Sequence, residues 1–140
     1  MRTHRLTRAP NGAPRETVSS LQLDERFGVV GDYKSEKDGS VSLLSREAEE
    51  QIRSLSGLCT AKFAANIVID GLDFSRLTVG AKLHVGNCEL TLTRVGKTCY
   101  EDCDIVKRGE TCPIPQNCAF ARVTSGGEIQ NNDKITIDNS

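Results

Sequence analysis

Apolar residues along this chain come in short groups separated by polar turns, not in long amphipathic stretches. Val18, Leu21 and Leu23 alternate weakly within 17–23, and Phe27-Gly-Val-Val-Gly31 leads into a polar loop from Asp32 to Ser40 that carries charges of both signs. Val41 to Leu44 reads as a strand, and Ile67–Asp70, Ala81–Val85 and Cys88–Thr93 continue the series. Gly86-Asn87 is a two-residue hairpin signal, so the strands on either side of it are predicted to pair antiparallel. Ala119–Val123 and Lys134–Ile137 read as the last strands, joined through Ser125-Gly-Gly127 and Asn131-Asn-Asp133.

One segment has helical spacing. Ser45 is placed to cap a helix from Arg46 to Leu55 whose first turn holds Glu47 and Glu49, and Ala48, Ile52 and Leu55 fall on one face before Ser56-Gly57 stops it. Leu72, Phe74 and Leu77 predict a connection tucked onto the core, and residues 1–8 are expected to fray. Strand follows strand too often for a doubly wound sheet. The expected fold is mainly β, barrel-like, mixed or antiparallel, with one principal helix, in a single domain over 1–140.

Composition narrows the function. A length of 140 residues fits one core, and no charge-free run approaches the roughly 20 apolar residues of a spanning helix, so no membrane partner is expected. With 18 Lys and Arg against 19 Asp and Glu there is no net field to draw nucleic acid, and the few aromatics argue against base stacking. The start, MRTHRLTRAPNGAPRE, has arginines but no apolar core of a secretory signal, which points to the cytoplasm. Neither GxxxxGK[ST] nor GxGxxG occurs, and His4 and His84 make no pattern for a triad.

Chemistry is concentrated in cysteine. Four of the six lie in CYEDCDIVKRGETCPIPQNC, from Cys99 to Cys118, with spacing C-x3-C-x8-C-x5-C. Cys99 and Cys103 are close enough to share a tetrahedral zinc, with Cys112 and Cys118 as a looser second pair. The rival is a reactive Cys99 thiolate with Cys103 or Cys112 as resolving thiols. Arg94 and Lys97 just before Cys99 favour the thiolate, while Glu101, Asp102 and Asp104 oppose it. Thiols with no role are the third possibility, and Cys88, on an alternating strand, reads as core.

The order of these blocks resembles the MOSC domain, the family named for the C-terminal region of molybdenum cofactor sulfurases. GVVGDYKSEKDGSVSLLSREA is similar to its glycine-aspartate loop, strand and helix. KFAANIVIDGLDFSRLTVGAKLHVG is similar to its F-x-x-N strand, G-L-D turn and L-x-x-G hairpin, and VGKTC puts Cys99 at the family's cysteine. The likeness runs from about Ala9 and is nearest a compact bacterial branch. It implies a barrel with Cys99 at a pocket mouth lined by Asp32, Asn66 and the basic residues Lys34, Arg46, Arg94 and Lys97, serving the molybdenum cofactor, molybdopterin. The implied function is sulfur carriage or transfer, with Cys99 forming a persulfide or contacting molybdenum. The implied partners are a cysteine desulfurase and a molybdoenzyme or cofactor-biosynthesis protein. Tyr33-Lys34 stands where many relatives have histidine, Gly39-Ser40 replaces an arginine, and Ala64-Ala65 replaces glycine and glutamate. Those losses favour an alternative, a non-catalytic molybdenum-pterin binding module, and a structural zinc site is the other.

Overall fold

The hairpin at Gly86-Asn87 forms as its residues predict: Lys82–Val85 and Cys88–Val95 pair antiparallel, with Val85 opposite Cys88. The computed structural model describes residues 1–10, 12, 16–52, 65–72, 74, 77–95 and 118–138. In chain order its elements are β1 (Arg2–Arg8), β2 (Glu16–Val18), β3 (Ser20–Asp24), β4 (Gly28–Val29), α1 (Tyr33–Asp38), β5 (Ser40–Ser45) and α2 (Arg46–Ile52). They continue with β6 (Ile67–Asp70), β7 (Lys82–Val85), β8 (Cys88–Val95), β9 (Cys118–Ser125), β10 (Gly127–Gln130) and β11 (Ile135–Asp138).

Eight strands make one sheet in the order β11-β7-β8-β9-β5-β6-β1-β2, and β10-β3-β4 make a smaller one. Among the described strands all pairs are antiparallel except β5 with β6, which run parallel. The large sheet curls until its first strand meets the approach to its last. Thr3 N–H donates to Asp133 C=O at 3.0 Å, Asn132 N–H to Thr3 C=O at 3.1 Å and Ile135 N–H to Met1 C=O at 3.0 Å. Thr3 Oγ1 adds a bond to Gln130 C=O at 3.0 Å. Closure of this kind removes a sticky sheet edge.

Alternating side chains fill the interior. Leu6, Leu43, Ile67, Leu83, Leu90 and Ile129 are wholly buried, each contributing about 1.5–3 kcal/mol of transfer free energy. Leu72, Phe74 and Leu77 do cover the core as expected, and Cys88 belongs to it.

Three expectations are corrected. Residues 1–8 do not fray: β1 lies inside the sheet between β6 and β2, with Thr3, Leu6 and Thr7 buried. Its alternation was hidden by a register shift between Thr3 and Arg5 and by buried threonines that read as surface. The polar loop from Asp32 contains α1, capped by Asp32 and closed by Gly39 in the left-handed conformation. The last strands are not joined directly, because β10 intervenes and β11 pairs with β7. The helix at Arg46 begins where expected, with Ser45 Oγ accepting from Ala48 N–H at 3.1 Å, whereas residues 53–55 of its expected end lie outside the described residues.

Candidate functional site

Asp32 and Asn66 meet at one end of the barrel. The chain places them there because β1 runs antiparallel to β6 and β5 runs parallel to it, so the end of β1 and the starts of β5 and β6 converge. Asn66 Nδ2 donates to Asp32 Oδ1 at 3.1 Å and to Thr7 C=O at 3.2 Å. Its Oδ1 accepts from Ser42 N–H at 3.2 Å and Ser42 Oγ at 3.0 Å. The amide's two donors and two acceptor sites are therefore all used. Asp32 is equally occupied: Oδ1 also takes Ala9 N–H at 2.7 Å, and Oδ2 takes Ser35 N–H at 3.1 Å. Both side chains are buried, 2% exposed for Asp32 and 3% for Asn66.

Around this pair the loops are pinned. Tyr33 N–H donates to Ala9 C=O at 2.9 Å, and Ser35 Oγ accepts from Val29 N–H at 2.7 Å while donating to Ser40 C=O. Arg8 Nε donates to Glu16 at 2.6 Å, and its side chain lies against Gly31. Lys34 is exposed on α1. The arrangement holds backbone in place. It leaves Asn66 no capacity for a pterin, so neither buried residue fits a direct cofactor contact, and their role is to fix the shape of the loop that carries Tyr33 and Lys34.

Val95 and Cys118, the described residues on either side of 96–117, sit at the opposite strand ends. β9 is antiparallel to β5 and β8 to β9, so Val95 and Cys118 face the end where β5 stops at Ser45 and β6 at Asp70. Cys99, Cys103, Cys112 and Lys97 lie outside the described residues. Arg94 is exposed on β8, opposite Phe120 and one residue from that end. Arg46 opens α2 there, bonded to Glu50 at 3.2 Å and to Asp70 at 3.3 Å. The Glu50 bond, then the charge of Asp70, raises its pKa further and keeps it a cation. Of the expected set, then, the fold joins Asp32 to Asn66, with Lys34 nearby in sequence, and puts Arg46 and Arg94 toward the other end.

Several site residues were missed in the sequence. Thr7, Ser35 and Ser42 complete the Asp32–Asn66 network, and buried Glu49 reaches from α2 to form an ion pair with Arg5 of β1. The one local signal near them is Asp32 as a helix N-cap, whose carboxylate accepts from the Ser35 backbone N–H. Among the described residues, no group of three or more His, Cys, Asp or Glu side chains is placed to hold a metal ion. No helix there is long and apolar enough to cross a membrane.

Burial pushes the Cys88 thiol pKa up, and the charge of Asp133 adds to this. A thiol held neutral in the fold contributes stability that is complete below the unfolded pKa, about 8.5, and is lost as pH rises through the higher folded value. Urea midpoints should therefore fall above that pH in the parent more steeply than in Cys88→Ala. Equal slopes would show that Cys88 does not carry this dependence.

No family model matches the sequence, and no curated protein matches it. Solved structures do share its fold. The YuaD protein from Bacillus subtilis matches with a TM-score of 0.70 at 14% identity, covering 97% of this chain and 94% of that one. YiiM from Escherichia coli matches at 0.63 and 18% identity over 100% and 71%, and YiiM from Geobacillus stearothermophilus at 0.58 and 12% over 98% and 72%. At identities of 14%, 18% and 12% these likenesses show that this chain shares the fold of those proteins.

Proposed function

We propose that this chain is a sulfur carrier in molybdenum-cofactor metabolism, with Cys99 as the carrying thiol. The observation that supports it most is the fold shared with YuaD and YiiM, taken with the sequence likeness to the MOSC domain that puts Cys99 at the family's cysteine. The step is a thiol exchange. The Cys99 thiolate attacks the terminal sulfur of a persulfide on a cysteine desulfurase, the donor's S–S bond breaks, and the donor cysteine leaves as its thiolate. Cys103 or Cys112 can then attack the inner sulfur of the Cys99 persulfide, closing a disulfide and releasing hydrosulfide. Arg94 and Lys97 supply positive charge beside this thiol in sequence, which favours the thiolate. The acceptor we assign is the molybdenum-pterin cofactor or the molybdoenzyme that holds it. Its negative phosphate would be met by an exposed cation at the strand end that leads to Cys99, such as Arg94, not by Asp32 or Asn66 at the other end.

Incubation with a cysteine desulfurase and cysteine should add about 32 daltons, one sulfur atom, to the peptide containing Cys99. In Cys99→Ser the adduct should disappear while the unfolding midpoint is unchanged. An adduct spread evenly over all the cysteines would overturn the assignment. Metal analysis is the independent check. A four-thiolate zinc would close Cys99 off from a sulfur donor, so we expect less than about 0.2 zinc per chain. A stoichiometric ion with the thiols protected would make the cluster structural instead.

A further inference from the structure

We draw no further inference here: the strongest candidate, the surface patch of exposed Phe27, Val30 and Tyr33 beside the groove between the 24–27 turn and Gly126-Gly127, carries nothing because no observation in the structure shows what covers it.

Discussion

Replacing Asn66 with leucine should cost this protein about 3–5 kcal/mol, among the largest losses a single substitution can produce. The new side chain is similar in size but has no polar atoms, so Thr7 C=O, Ser42 N–H and the Asp32 carboxylate each lose a partner. Asp32 suffers most, because it is an anion 2% exposed and Asn66 is one of the donors that stabilise its charge. The urea midpoint should drop sharply while exposed Arg94→Ala leaves it in place. A loss under about 1 kcal/mol would mean that water replaces the amide there, and that the buried network is less closed than its geometry indicates.

Gly28→Ala should cost about 2–4 kcal/mol, through both backbone and packing. Gly28 has a φ of +73°, a region that side chains rarely adopt. A Cβ there would lie 2.3 Å from Ser35 Oγ and 2.9 Å from Gly39 C=O. Ser35 cannot turn aside freely, since its hydroxyl joins Val29 N–H to Ser40 C=O and so ties β4 to the start of β5. Thermal melts should show Ser35→Ala destabilising on its own, yet adding less when built into Gly28→Ala, because the closer of the two clashes is gone. Simple additivity would show that the backbone conformation alone accounts for the cost.

How far the sequence carried depends on what each element buries. β5, β6 and the β7–β8 hairpin announce themselves because Val41, Leu43, Ile67, Leu83 and Leu90 point inward at spacings only a strand produces. β1 was lost because R-T-H-R-L-T-R puts threonines where a core residue was expected, and Thr3 is tolerated there only by its bonds to Gln130 and Asp133. α1 has no apolar stripe at all, so periodicity could not find it. Asp32 and Asn66 were both singled out as candidates to line a pocket. Their actual work, bonding each other and three backbone segments, depends on strand ends far apart in sequence, which spacing does not encode.

The seam that closes the barrel also sets a timetable for folding. Thr3 bonds to Gln130 and Asp133 across separations of 127 and 130 residues, so this closure is among the most non-local contacts in the chain. Contacts of that kind must overcome loop-closure entropy before they return any stability, which slows folding relative to a helical protein of the same length. During synthesis β1 leaves the ribosome before the other described strands, yet it cannot complete this pairing until β11 has followed. Until then the strand that will sit inside the sheet has one edge open, and that interval is when the protein is most exposed to mispairing with a neighbour.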